Sequence, residues 1–187
     1  MSIEATLSPH AAETERAVYE GLGPIIQRLD TLLRESFSPG DLADLRRMQP
    51  GRPGCPAFWR LAAAVLEPQG HLPPGDGLAR ERAESHWGTI LAGMAHGKDL
   101  HRKGRPLGRA LAESGVSELR LLRLLRATDQ ALLDLVRVTV HQVASEGVTF
   151  DWVEMADLIL SDGATREDSV RRRIARAYYR QLTATTA

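Results

Sequence analysis

The sequence of 187 residues contains one cysteine, Cys55, and no long apolar run. A single cysteine excludes an internal disulfide and any zinc site built from several cysteines. The longest apolar run, LAAAVL at residues 61–66, is far shorter than the roughly 20 residues that cross a bilayer as a helix. The segment MSIEATLSPHAAETERAV at residues 1–18 also lacks the basic and apolar regions of an export signal. We therefore expect a soluble, cytoplasmic protein without a membrane partner.

Signatures of catalysis are also missing. No GxxxxGK[ST] pattern occurs, so nucleotide hydrolysis has no support. His96 and His101 are five residues apart, which does not place two metal ligands on one helical turn, and the cysteine has no orienting histidine nearby. Asp151, Glu154 and Asp157 resemble an acidic catalytic cluster, but the first two have the spacing of a helix capping box. We predict no enzyme, no cofactor, no metal and no small-molecule substrate.

Apolar residues recur with a helical period along almost the whole chain, and no segment alternates as a strand would. This predicts an all-α protein of eight or nine helices, packed as one or two small bundles. The segment PQGHLPPGDG at residues 68–77 cannot continue a helix. We expect it to separate an N-terminal helical subdomain, residues 1–75, from a C-terminal helical bundle, residues 76–187.

Several helix ends can be predicted from capping residues. Ser38, followed by Pro39 and Asp41, predicts a helix start, and Ser117 predicts another. Thr165 with Asp168 predicts a capping box for the last helix. The other predicted spans are residues 13–35 with an interruption at 21–24, 57–67, 79–95, a helix from about 106 to 115, and 129–145. Trp59, Trp87 and Trp152 lie in apolar helical contexts, where we expect them in the core.

Charge is strongly clustered although the formal net charge is zero. Residues 1–45 carry eight acids and three arginines, a sum of −5, whereas residues 46–60 carry four arginines and no acid. Residues 94–126 carry eight basic residues and three acids, a sum of +5, and residues 166–180 carry six and two, a sum of +4. Of the 24 basic residues, 22 are arginine, whose planar guanidinium suits phosphate oxygens.

The densest basic stretch, HRKGRPLGRALAESGVSELRLLRLLRA at residues 101–127, points to a phosphate-binding surface. In its second helix Arg120, Arg123 and Arg126 share one arc of about 120°, while the leucines at 121, 122, 124 and 125 face the core. Only Glu118 is available to neutralise this row. The preceding loop adds further unpaired cations: Lys98, Arg102, Lys103, Arg105 and Arg109. Glycines at 97, 104 and 108 would let backbone N–H groups approach an anion near the start of the helix at Pro106.

Arg137 stands among apolar residues in LLDLVRVTVHQV, residues 132–143. Two interpretations remain open, an internal ion pair with Asp134 one turn away or a charge carried to the edge of a groove. His141, one turn further, is expected to be a buried histidine.

Two functional alternatives follow from the same residues. The segment LAESGVSELRLLRLL, residues 111–125, imitates a helix-turn-helix that would place Arg120 and Arg123 in a DNA major groove, although Leu111 stands where such motifs need alanine. The acidic N-terminal segment could instead bind a partner protein while the basic face docks on acidic neighbours, which would make the chain a scaffold.

Four stretches in order resemble a known family. They are LRRM at 45–48 with PAFWRL at 56–61, GRALAESG at 108–115, LRLLRLLRA at 119–127 and FDWVEMADLIL at 150–160. Together they are similar to the signature stretches of the CasB family, the small subunit of the type I-E CRISPR effector complex Cascade. The resemblance covers roughly residues 45–180.

The resemblance implies a non-catalytic, all-helical subunit that is present as two copies in contact with each other and with other Cascade subunits. Such a subunit would hold target DNA in the R-loop through its backbone, while guide RNA pairing supplies sequence recognition. The basic positions that match the family are Arg46, Arg47, Arg60, Arg109, Arg120, Arg126 and Arg137. The charge argument adds Lys98, Arg102, Lys103, Arg105 and Arg123. For Arg171, Arg172 and Arg173 in the last helix, DNA binding and simple solvation both remain open.

Overall fold

The computed structural model describes residues 9–49, 52, 54–161 and 164–186 of the chain. Within these ranges it contains nine α-helices and no strand, which confirms the predicted all-α class. They are α1 (Pro9–Glu35), α2 (Pro39–Arg47), α3 (Pro56–Leu61), α4 (Leu78–His96), α5 (Leu107–Glu113), α6 (Glu118–Arg126), α7 (Asp129–Ser145), α8 (Trp152–Leu160) and α9 (Ala164–Thr186). A π-helical turn, Ala62–Leu66, continues α3.

The predicted caps of α2 and α6 are confirmed. The Ser38 hydroxyl accepts a hydrogen bond from the Asp41 N–H at 3.2 Å, and the Asp41 carboxylate accepts one from the Ser38 N–H at 3.2 Å. The Ser117 hydroxyl accepts from the Arg120 N–H at 3.4 Å. Because the first N–H groups of a helix have no partner within it, these side chains determine where each helix begins.

The predicted break at residues 21–24 is wrong, since α1 runs through Pro24 without interruption. A proline inside a helix removes one hydrogen bond and crowds the preceding turn. One face of this helix is almost completely buried, and it consists of Leu22, Ile25, Ile26 and Leu29. Burial of this apolar face outweighs the local cost, because tertiary packing supplies most helical stability in proteins.

Two other predicted capping boxes are wrong. Thr165 lies inside the first turn of α9, which begins at Ala164, and residues 162 and 163 fall outside the described ranges. Asp151 does cap α8, because its carboxylate accepts from the Val153 N–H at 3.0 Å. Glu154 does not complete that box: its carboxylate accepts from the Leu107 N–H at 2.6 Å. It therefore caps α5, a helix that is distant in sequence.

The core is centred on α8, in which every residue from Trp152 to Ile159 is buried. This helix packs against α1, α4 and α9, while α2 and α7 pack on α4, and α5 packs along α9. Residues from both sides of the predicted boundary at 75/76 contribute to one continuous hydrophobic core. The division into two subdomains stays a prediction.

Two of the three tryptophans occupy this core as predicted. Trp87 and Trp152 are almost completely buried. The expectation for Trp59 is wrong, because this residue is 43% exposed; its ring contacts the buried Phe58 ring at 4.9 Å between centroids.

Candidate nucleic-acid interface

Four groups that carry or can acquire positive charge meet where α2, α4 and α7 come together. We call Arg46, His96, Arg137 and His141 the cationic junction. The Arg46 guanidinium Nε donates to the Ala95 carbonyl at 2.8 Å, and His96 Nε2 donates to the Arg46 carbonyl at 3.2 Å. The His96 and His141 rings are 3.8 Å apart between centroids and tilted by 56°. Arg46, His96 and Arg137 line one narrow cleft.

The pKa of His96 reflects both its burial and the charges of the cationic junction. Burial lowers the pKa of His96 below its usual range, and the neighbouring His141, Arg46 and Arg137 lower it further, while the hydrogen bond to the Arg46 carbonyl opposes this. Since the neighbours that depress this pKa are cationic or can become so, the cleft is a region of positive potential. The cleft itself measures only about 10 Å³, so an anion that relieves this repulsion would bind at its opening, where Arg137 is exposed.

The structure distinguishes between the two interpretations of Arg137 and contradicts the prediction for His141. Asp134 accepts a hydrogen bond from the Gln130 side chain at 3.1 Å and forms no ion pair with Arg137 in the described part of the chain. Arg137 is exposed, so of the two interpretations the charge at the edge of a groove is the one observed. The prediction of a buried His141 is wrong, because its side chain is exposed. Both residues lie one turn apart on α7. Most apolar residues of the segment face the core, but Val138 is 60% exposed.

The arginine row of α6 is exposed as predicted. Arg120 donates to the Gln142 side-chain oxygen at 2.9 Å, and the Gln142 amide in turn donates to the Ser114 carbonyl at 2.9 Å. Arg123 and Arg126 form no ion pair with any residue that the structure describes. The orientation predicted for the leucines holds for 121, 124 and 125, which are buried, but is wrong for Leu122, which is 37% exposed.

The expectation that the cations of the preceding stretch lack partners is wrong for Arg105 and Arg109. Both guanidinium groups bind the Glu113 carboxylate, Arg109 at 2.7 Å, and Arg105 also donates to the Thr149 hydroxyl at 2.7 Å. Partial burial raises the pKa of Glu113, but the hydrogen bonds from Arg109 and Arg105 outweigh it and hold the pKa below its usual range. One carboxylate therefore neutralises part of this surface.

The predicted anion cradle at the start of α5 is also wrong, because carboxylates of the chain itself fill it. The Gly104 N–H donates to Asp151 Oδ2 at 2.7 Å, and the Leu107 N–H is bound by Glu154 as described above. Burial raises the pKa of Glu154, while the Leu107 N–H and Arg173 favour its ionised form. Gly108 serves close packing against α9 instead, and Gly97 is a buried residue that ends α4.

The remaining predicted binding residues are spread over two regions. Arg47 pairs with Asp44, and Arg60 pairs with Asp41 while lying 5.4 Å from the centre of the Phe37 ring. In the loop between α4 and α5, Lys98 is half-buried whereas Arg102 and Lys103 are exposed, and none of these three forms an ion pair with the described residues. Arg102 is held through its backbone, whose N–H donates to the Phe150 carbonyl at 2.9 Å.

The structure also brings together residues that the sequence did not connect with each other. His96 and His141 are 45 positions apart in sequence numbering, so only packing of α4 on α7 makes them neighbours. The sequence does show that Arg137 and His141 are one helical turn apart, and this spacing predicts that they share a face of α7. In the described part of the chain no group of histidine, cysteine and acidic residues could hold a metal ion. No described helix is long and apolar enough to cross a membrane.

These features define an all-helical protein with a cationic junction and an exposed arginine row. The family model for the CRISPR-associated protein Cse2 matches residues 41–179. The chain therefore belongs to the CRISPR-associated Cse2 family, and the predicted resemblance is confirmed.

Solved structures share the fold. A chain in the crystal structure of E. coli Cascade bound to a PAM-containing dsDNA target is 23% identical, with a TM-score of 0.59 over 82% of this chain and 96% of that chain. CasB from Thermobifida fusca is 19% identical, with a TM-score of 0.61 over 87% of this chain and 97% of that chain. Comparison with curated protein sequences gives no significant match.

Proposed function

We propose that this protein is a non-catalytic small subunit of a type I-E Cascade complex that stabilises target DNA in the R-loop through sequence-independent backbone contacts. Its partners would be target DNA, guide RNA, the other Cascade subunits and a second copy of itself. Family membership supports this assignment, and so does the fold shared with a chain of E. coli Cascade, a complex whose crystal structure contains a dsDNA target.

The cationic junction is the observation that carries the proposal. Arg46 and Arg137 come from helices far apart in sequence yet line the same cleft. Holding like charges close together costs electrostatic energy, and binding of a phosphate backbone would offset this cost. Guanidinium groups suit this role because they bind phosphate oxygens in a bidentate manner. Such contacts position a strand without reading its sequence.

The row on α6 extends the same chemistry. Gln142 holds Arg120, which lowers the side-chain entropy that this arginine loses when it binds phosphate. Arg123 and Arg126 project from the same helix. Sequence preference should therefore be slight, and affinity should fall steeply with salt, with a log–log slope of about −0.7 for each contact to a single strand.

The test uses the assembled complex and measures the affinity for target DNA at several salt concentrations. Two double variants, Arg46→Glu with Arg137→Glu and Arg120→Glu with Arg126→Glu, should each weaken binding by about tenfold or more. Each should make the salt dependence shallower by about 1.4 in the log–log slope, because two contacts are lost. Thermal unfolding of the free variants checks that each is folded; a small decrease in the midpoint is expected for the first pair, because Arg46→Glu loses the hydrogen bond to the Ala95 carbonyl.

A charge-matched control is available in Arg28→Glu with Arg82→Glu, since both side chains are exposed. Arg82 is 14 residues from His96 on α4, about 21 Å along the helix axis. This control should bind target DNA nearly as the wild type does. Unchanged affinity in both test variants would refute backbone holding by these residues.

A further inference from the structure

Helix α9 carries a second row of arginines that the cationic junction does not include. Arg172, Arg176 and Arg180 follow one another at four-residue intervals, about 6 Å apart along the axis and on one face. Arg172 donates to the Asp168 carbonyl at 3.2 Å and lies 3.9 Å from its carboxylate. Arg176 and Arg180 are exposed and form no ion pair with any residue in the described ranges. Like charges at this spacing repel each other, so the row favours an external anion.

Two clefts flank this row, and all three arginines line both of them. The first cleft, of about 460 Å³, also contains Ser169 and Pro106. The carboxylate that reaches it belongs to Glu154, which is buried and lies 3.4 Å from the Arg173 guanidinium. The negative charge at this point is therefore compensated inside the protein, and the cleft presents the arginine row to its surroundings.

The second cleft has the opposite character. Besides the arginines it is lined by Ala175, Tyr179, Thr183 and Ala184, so its surface is mostly apolar. The Tyr179 side chain is 40% exposed although it is large and aromatic. Its hydroxyl donates to Glu118 Oε2 at 3.2 Å, and its ring meets the Tyr178 ring edge to face at 5.4 Å. These contacts hold the exposed ring in a defined orientation.

An arginine row beside a fixed, exposed aromatic ring is the arrangement that binds single-stranded nucleic acid: cations follow the phosphates and bases stack on the ring. The Glu118 carboxylate at the Tyr179 end would repel phosphate, which favours a base at that position. A duplex has no free base face to offer to the ring. We propose that α9 is a second nucleic-acid site, which binds a single strand through Arg172, Arg176 and Arg180 and stacks one base on Tyr179.

This site goes beyond the function proposed above, since it lies on different helices from the cationic junction. The family model ends at residue 179, within the row. The site also has a chemical preference that the junction lacks, because stacking distinguishes a single strand from a duplex of the same charge.

The experiment uses the purified full chain at low salt, about 50 mM, with a fluorescent oligothymidine strand and a duplex of the same length. The strand should bind more tightly than the duplex. Arg176→Glu with Arg180→Glu should weaken strand binding by about tenfold, whereas the charge-matched pair Arg28→Glu with Arg82→Glu should change it much less. Both pairs replace exposed side chains, and circular dichroism checks that each variant is folded.

Stacking is tested by photocrosslinking to a strand that carries 5-iodouracil, with the adduct located by mass spectrometry. Tyr179 should be crosslinked in the wild type and also in Arg46→Glu with Arg137→Glu, which disables the cationic junction alone. Tyr179→Ala should weaken strand binding several-fold. Tyr179→Phe, which keeps the ring, should bind the strand nearly as tightly as the wild type does.

The two proposals fail in different ways. Unchanged R-loop affinity in the junction variants would refute the cationic junction. If Tyr179 were still crosslinked to the strand, the α9 site would nevertheless be supported. Absence of strand binding by the wild type, unchanged affinity in the α9 variant, or no adduct at Tyr179 would each overturn the α9 site. An acidic protein surface would then be the better occupant of the arginine row.

Discussion

Gly108 of α5 lies directly against the main chain at Ile174 of α9. A Cβ atom at residue 108 would be 2.0 Å from the Ile174 carbonyl oxygen and 2.8 Å from the Tyr178 nitrogen. No side chain can fit there unless one helix moves. We expect Gly108→Ala to lower the free energy of unfolding by about 3 kcal/mol, since the clash is with backbone atoms. Urea unfolding followed by circular dichroism would measure this.

The control is the same substitution at Gly21 in α1, where an added Cβ meets nothing within 4 Å. Because alanine favours helix more than glycine does, Gly21→Ala should raise stability by about 0.5 kcal/mol or slightly more. If Gly108→Ala were as stable as Gly21→Ala, the close approach of α5 and α9 would be wrong.

Glu113 limits the positive charge of the α5 surface because it binds both Arg105 and Arg109. Glu113→Gln should free both guanidinium groups for phosphate and raise the affinity of the free protein for single-stranded DNA several-fold. Fluorescence anisotropy at two salt concentrations would show a tighter complex with a steeper salt dependence.

Net charge alone could produce part of that gain, so the matched variant is Glu146→Gln. Glu146 is exposed and forms no ion pair with the described residues. Its substitution makes the same change in net charge but releases no arginine. An equal gain in affinity from both variants would mean that the pairing of Glu113 is irrelevant to binding.

Asp157 ties α8 to α9. Its buried carboxylate accepts hydrogen bonds from Arg166 at 2.5 Å and from Arg173 at 2.7 Å. Asp157→Ala removes the shared partner of two partly buried cations, and we expect a loss of about 2 kcal/mol in the free energy of unfolding, reduced by partial solvent access of Arg173. Thermal or urea unfolding would test this. Stability equal to that of the wild type would show that solvent compensates both arginines.

Stability should fall in mildly acidic solution. Burial lowers the pKa of both His71 and His96 below the ordinary value of 6.5, with the junction cations adding to the effect at His96. The unfolded chain therefore binds protons at these histidines at a higher pH than the folded chain does. Their contribution is fully present above about pH 6.5 and is lost as the pH falls through the folded-state values.

Urea midpoints measured from about pH 7.5 down to pH 5 would test this. Replacing His71 and His96 by glutamine should flatten the decrease over that range. A midpoint that stays constant in the wild type, or a double variant that loses stability just as steeply, would contradict the assignment to these two residues.

Local sequence was sufficient for much of the secondary structure. Ser38 and Ser117 begin their helices because a side-chain oxygen can satisfy helix N–H groups two or three residues away. The same local rule failed at Thr165, where the helix begins one residue earlier, and at Glu154, whose carboxylate caps α5 instead. The interruption predicted at Pro24 is absent because burial of the apolar face of α1 outweighs the local cost of a proline inside a helix.

The candidate site was predictable as a set of basic positions but not as an arrangement. Arg120, Arg123 and Arg126 share a face because helical geometry alone requires it. By contrast, Glu113 contacts Arg105 only because of how the loop before α5 folds, whereas its pairing with Arg109 follows from their i,i+4 spacing in α5, a signal that the sequence does contain.

The all-α class, the exposed arginine row of α6 and membership of the Cse2 family could all be predicted from short segments, because helical period, caps and ordered motifs are local properties. The meeting of Arg46 and His96 with Arg137 and His141, and the packing role of Gly108, could not. These depend on which helices lie together, and a helix crossing brings into contact residues that no local rule connects.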